Sequence, residues 1–70
     1  MNERLSQTVG ANIRAIREQR GVSQNQAALD IGIAQGQWWH YENGNHLPSV
    51  KVLKKICEYL GVTATDILGF

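Results

Sequence analysis

Cysteine and proline occur once each in these 70 residues, as Cys57 and Pro48. A single cysteine cannot close an intramolecular disulfide. The two histidines, His40 and His46, have no cysteine partner at zinc-ligand spacing. Neither a disulfide nor a metal is therefore expected to hold the fold. That matters because a chain of this length buries only roughly 60% of its unfolded surface. Domains below about 80 residues often lean on a disulfide, a metal or a second subunit. Tight helix packing or self-association is what remains. No apolar run approaches the roughly 20 residues of a membrane span, and the N-terminus has no signal-peptide core. The expectation is one domain, residues 1–70, in a reducing cytoplasm with no membrane partner.

Charge is scarce and uneven. Seven Lys and Arg face six Asp and Glu, for a net charge of +1. The sum alone does not announce a nucleic-acid binder, but the distribution is informative. Arg14, Arg17 and Arg20 cluster early, Lys51, Lys54 and Lys55 cluster late, and residues 21–50 contain no Lys or Arg. A polyanion would be held at the flanks while a polar, uncharged surface reads it in the middle. There is no nucleophile–base pair, no metal set and no phosphate-cradling loop, so neither an enzyme nor a cofactor is expected.

The apolar pattern is helical throughout. Leu5, Val9, Ile13 and Ile16 fall on one helix face. That helix ends near Arg20 at Gly21, and Gly10 inside it implies a close neighbour. Ser23 opens a second helix, with Gln26 placed for a capping box. Ala27, Ala28 and Ile31 form its inner stripe, and Gly32 ends it in the left-handed conformation that glycine adopts cheaply. A third helix spans about 35–43, stopping at Gly44. Pro48 and Ser49 open a fourth, with Val50, Leu53, Ile56, Cys57 and Leu60 as its apolar face. Cys57 is expected to be a packed thiol. Thr63 and Asp66 can cap a short fifth helix. The fold class is all-α, five helices in one compact unit.

The stretch GVSQNQAALDIGIAQGQWWHYENG carries a further pattern. Gly21, Val22, Ser23, Gln24, Ala27, Ala28, Ile31, Gly32, Ile33, Trp38, Tyr41, Glu42 and Gly44 stand at the positions of the Cro and phage-repressor helix-turn-helix, also called the XRE family. The register continues through Pro48, Ser49, Leu53, Leu60, Gly61, Val62 and Leu68. The chain thus resembles that family over nearly its whole length, with the helix-turn-helix at about 23–43. The resemblance implies a lambda-repressor-like domain that binds double-stranded DNA. Independently of the name, small Ala28 lets a helix cross closely, Gly32 turns the chain tightly, and Ile33 and Trp38 fill the angle. The start of the third helix is thereby presented outward, as a major-groove reader requires.

On a wheel of about 100° per residue, Gln35, Gly36, Trp39, His40 and Asn43 share one arc. Trp38 and Tyr41 lie opposite, with Glu42 at the boundary. Trp38 is then the core ring and Trp39 faces out. Gln35 can bond adenine N6 and N7 bidentately, worth about 1–3 kcal/mol of discrimination, or stand solvated at a helix start. Gly36 can let the backbone approach DNA or leave room for Trp39. Trp39, where the family is usually polar, can pack on a thymine methyl or a sugar, fill a partner protein's pocket, or fold over its own domain. His40, on the same arc as the base-contacting candidates, can donate to a phosphate or stay solvated. Gln37, toward the side of the helix, is a backbone contact at most.

The resemblance assigns Gln24, with Ser23 and the helix N-terminal amides, to one phosphate. It implies that Asn43, Gly44 and Asn45 offer backbone amides to further phosphates. It pairs Arg17 with Glu42 in an internal salt bridge, which would aim Arg17 toward phosphate. Family members often dimerise through their last helices, so Ile67, Leu68 and Phe70 are the expected homodimer contact. The alternative is that this cluster seals the monomer's own core. Leu29, where the family is usually polar, is a second stray apolar residue. The leading function is a transcriptional regulator, a repressor on a pseudo-palindromic operator, working at the nucleoid of a bacterium or for a phage. The competing reading is an antitoxin-type module that binds a protein partner and autoregulates its promoter.

Overall fold

The computed structural model describes residues 2–70, with side chains from residue 4. Five helices follow one another: α1 (Asn2–Gln19), α2 (Gln24–Ile31), α3 (Gln35–Glu42), α4 (Val50–Leu60) and α5 (Ala64–Leu68). None of the helices among the described residues is long and apolar enough to cross a membrane.

The helix starts follow capping chemistry. Ser23 Oγ accepts from the Gln26 amide, Ser49 Oγ from Val52, and Thr63 from Asp66. At Thr63 the bond is reciprocal, a full capping box. At Ser23 it is not. Gln26 turns its side chain forward to Asp30 at 2.6 Å instead of back to the cap, and Asp30 also accepts from the Tyr59 hydroxyl of α4 at 2.6 Å. That bond pushes the Tyr59 pKa up to about 12. Gly32 ends α2 at φ 80°, where a side chain would be strained.

The core is built by Val9 and Ile13 of α1, Ala27, Ala28 and Ile31 of α2, Trp38 and Tyr41 of α3, Ile56 and Leu60 of α4, and Ile67 of α5. Gly10 confirms the expected close neighbour: a Cβ there would meet the backbone carbonyl oxygens of Tyr41 and of Glu42, the latter at 2.7 Å. Only hydrogen at this position lets α1 lie against the end of α3.

The apolar residues of the last two helices divide by burial. Val50, the first residue of α4, is 84% exposed rather than part of the core. Val52 packs against the core from the same helix. Cys57 packs against the core as expected but is only half-buried, and burial pushes its thiol pKa up. Ile67 is fully buried and Leu68 packs against the core. The reason is that α5 lies on α1: Asn12 Nδ2 donates to the Ile67 carbonyl at 2.9 Å. Ile67 is thus part of the chain's own core and Leu68 packs against it, while Phe70, the third expected dimer residue, stands exposed.

Candidate nucleic-acid interface

The two tryptophans part as the wheel requires. Trp38 is fully buried, whereas Trp39 is 46% exposed. Gln35, Gly36 and Asn43 are exposed and His40 is half-buried, so the expected arc is the outer face of α3. Nothing lies within 4 Å of a Cβ built on Gly36. Ala34 precedes the helix as its N-cap and offers no side-chain cap, and the N–H groups of helices that start this way look outward for an acceptor.

A buried polar network aims this face. Arg17 of α1 reaches Glu42 of α3 with two donors, Nε to one carboxylate oxygen and Nη2 to the other at 3.1 Å. Nη1 of Arg17 donates to the Val22 carbonyl at 2.8 Å. Trp38 Nε1 and Gln24 Nε2, the latter at 2.9 Å, donate to the same carboxylate. Burial works against the charge on Glu42, but the bonds from Arg17, Gln24 and Trp38 outweigh it and hold the carboxyl below the ordinary glutamate range. The bond to Glu42 likewise raises Arg17 against the opposing effect of its burial. No buried side-chain polar atom among the described residues lacks a partner. The network joins α1, α2 and α3 at one point, which orients the outer face of α3 relative to α2.

Several assigned contacts are relocated. Arg17 is buried with its guanidinium committed to Glu42 and Val22, so it braces the site and is not aimed at phosphate. The backbone amides of Asn43, Gly44 and Asn45 already donate, to the carbonyls of Trp39, Tyr41 and His40 at 3.0, 3.2 and 3.0 Å. They close α3 and are not free for phosphate; Asn43 adds its side-chain amide to the Trp39 carbonyl at 2.8 Å. Gln37 Nε2 donates to the Tyr41 hydroxyl at 2.6 Å. Gln24 keeps one amide hydrogen beyond its bond to Glu42. Beside it, the Ser23 hydroxyl accepts from Gln26 and retains its own proton.

One residue carried no assignment from the sequence. His46 lies with its ring centroid 5.0 Å from that of His40. Five residues, the Gly44 turn among them, separate the two, a spacing that matches no motif, so pattern alone offered no signal.

Comparisons with known proteins agree with this geometry. Residues 10–69 match the family model described as a helix-turn-helix domain. The chain is 31% identical over 61 residues to the antitoxin PezA of Streptococcus pneumoniae, covering 87% of this chain and 39% of that protein. It is 37% identical over 60 residues to the transcriptional regulator SlrR of Bacillus subtilis, covering 84% and 40%. The chain thus spans less than two thirds of the length of these relatives. Among solved structures, the clp gene regulator ClgR of Corynebacterium glutamicum superposes with a TM-score of 0.86 at 28% identity, over 91% of this chain and 68% of that one. The DNA-binding domain of BldD superposes with a TM-score of 0.84 at 26% identity, over 97% and 99%.

Proposed function

Because the chain belongs to the helix-turn-helix domain family, whose model spans its residues 10–69, we propose that it is a sequence-specific DNA-binding transcriptional regulator, acting as a repressor by occupying its operator. The observation that carries this reading is the outer face of α3, where exposed Gln35, Gly36 and Trp39 are held in place by buried Trp38 and the Arg17–Glu42 network. Gln35 reads adenine by its amide, Trp39 packs on a thymine methyl or sugar, and His40 extends the face. Ser23, the Gln24 side chain, and the side-chain amides of Gln37, Asn43 and Asn45 position the backbone. The regulator works in the cytoplasm as a homodimer on a pseudo-palindrome. Phe70, 76% exposed, is the remaining apolar candidate for its contact.

A second reading has its own support. Leu29 is 70% exposed on α2, and one relative is named an antitoxin. In that reading Leu29 and Trp39 dock on a partner protein, and promoter binding is secondary.

One experiment separates them. Gln35→Ala and Trp39→Ala are compared with the parent for binding to a selected operator and to scrambled DNA at fixed salt. The regulator reading expects each variant to lose about tenfold or more in operator affinity, the loss of a base contact of at least about 1.4 kcal/mol, with scrambled binding nearly unchanged. If neither substitution alters operator binding, α3 does not read DNA with this face and the partner-docking reading gains.

A further inference from the structure

Two imidazoles meet where α3 ends. His40 is in the last turn and His46 follows Asn45 in the connection to α4. Their ring centroids stand 5.0 Å apart with planes at 50°. The Trp39 ring meets His40 edge-on at 5.1 Å, so the pair adjoins the reading face. Asn45 Nδ2 lies 3.0 Å from His40 Nδ1. With the Asn45 amide donating, Nδ1 accepts and Nε2 carries the proton; with that amide reversed, Nδ1 can hold a proton as well. Asn45 therefore accommodates either charge state of His40 by turning its amide over in place.

The charge layout gives this pair its weight. Residues 21–50 hold no Lys or Arg, so His40 and His46 are the only side chains there able to become cations. The neighbouring charged groups do not compete for them. On α3, Glu42 is buried and turned to Arg17. On α2, Asp30 is bonded to Gln26 and to Tyr59 of α4. On α1, Gln7 packs against Gly44, and exposed Arg4 stands one turn before it. The first turn of α4 carries exposed Lys51. Neither salt bridge among the described residues involves an imidazole.

We propose that His40 and His46 form a proton-dependent phosphate clamp at the edge of the reading face. The proposal rests on the DNA-binding reading above. Imidazole is the side chain whose charge changes between about pH 5 and 8. Two imidazolium rings 5.0 Å apart repel each other, and a phosphate held against both replaces that repulsion with attraction. DNA binding then takes up protons. Affinity is gained as pH falls through the imidazole range and lost as it rises. Each phosphate neutralised adds about 0.9 to the salt slope, so the slope steepens along with the affinity.

The test compares the parent chain with His46→Gln and His46→Lys, with EDTA present so that no metal bridges the rings. The probe is a duplex selected from a randomised pool, bound at about pH 6 and about pH 8 across a range of salt. The parent should bind roughly tenfold more tightly at the lower pH, with a slope steeper by about one. His46→Gln should lose most of that difference. His46→Lys, permanently charged, should bind at the higher pH about as tightly as the parent does at the lower. A circular-dichroism melt checks that each variant folds, which the exposure of His46 favours. Parent affinity independent of pH, or a pH effect that survives His46→Gln intact, overturns the clamp and leaves the DNA-reading assignment standing. Absence of sequence-selected binding at both pH values overturns both.

Discussion

Trp38 and Trp39 are adjacent rings in opposite surroundings, and each depends on its other neighbours. Trp38 is anchored by its indole N–H on the Glu42 carboxylate as well as by burial, which satisfies the one polar atom a core tryptophan carries. Trp39 has no such anchor and keeps nearly half its surface in water. Gly36 lies one turn earlier on the same face, facing open space. A methyl group there meets nothing in the free protein, and alanine is a better helix former by up to about 1 kcal/mol. Gly36→Ala should therefore leave the melting temperature unchanged or raise it, while weakening operator binding by about tenfold if the backbone comes close to DNA at this point, a cost of about 1.4 kcal/mol. A melt and an operator titration on the same variant test this. Unchanged operator affinity would mean that the glycine is tolerated and not required.

At the scale of elements, Glu42 is the residue on which three helices converge. Breaking a buried ion pair from one side costs about 3–5 kcal/mol, because the remaining charge stays buried without its partner. Glu42→Gln should accordingly remove much of the stability of so small a domain, read as a lower urea midpoint at neutral pH. The same pair gives a pH dependence of definite sign. The folded Glu42 carboxyl sits below its ordinary range. Its contribution is complete above the ordinary glutamate value of about 4.3 and is lost as pH falls from there through the lowered folded value. The variant should lose less stability than the parent over that acid interval; an equal loss would show that other carboxylates control it. The Arg17–Glu42 pair could be identified from the family register, and the burial of Trp38 from helical periodicity together with that register, but Gln24 and Trp38 as further donors to Glu42 could not. Other features were not legible, for physical reasons. Periodicity places Val50 on an apolar face but does not say whether another helix covers the first residue of α4, and Val50 is 84% exposed. Composition marks Ile67 as apolar without revealing that α5 folds back onto α1. The amides of Asn43, Gly44 and Asn45 look free in any pattern, because only the loop geometry shows them donating to the end of α3.

For the molecule as a whole, the spending of its cations decides how it meets a polyanion. Of the seven Lys and Arg side chains, Arg17 is buried in its ion pair, Arg14 lies 3.6 Å from Glu18, and Arg20 Nε donates to the Leu60 carbonyl at 3.0 Å. Arg4, Lys51, Lys54 and Lys55 are exposed, and none of them belongs to α3. Phosphate neutralisation supplies most non-specific affinity, and each neutralised phosphate contributes about 0.9 to the slope of log affinity against log salt. With few uncommitted cations near the groove, each chain should show a slope of only about −2 to −3 at about pH 8. Specificity would then rest on α3 to an unusual degree, and scrambled DNA should be bound weakly even in dilute salt. Titrating operator and scrambled duplexes over a range of salt measures both quantities. A slope of roughly −6 per chain would require nearly every cation, including those committed to Glu42 and Glu18, to leave its partner for phosphate, and the internal bracing of the site would then have to come apart on binding.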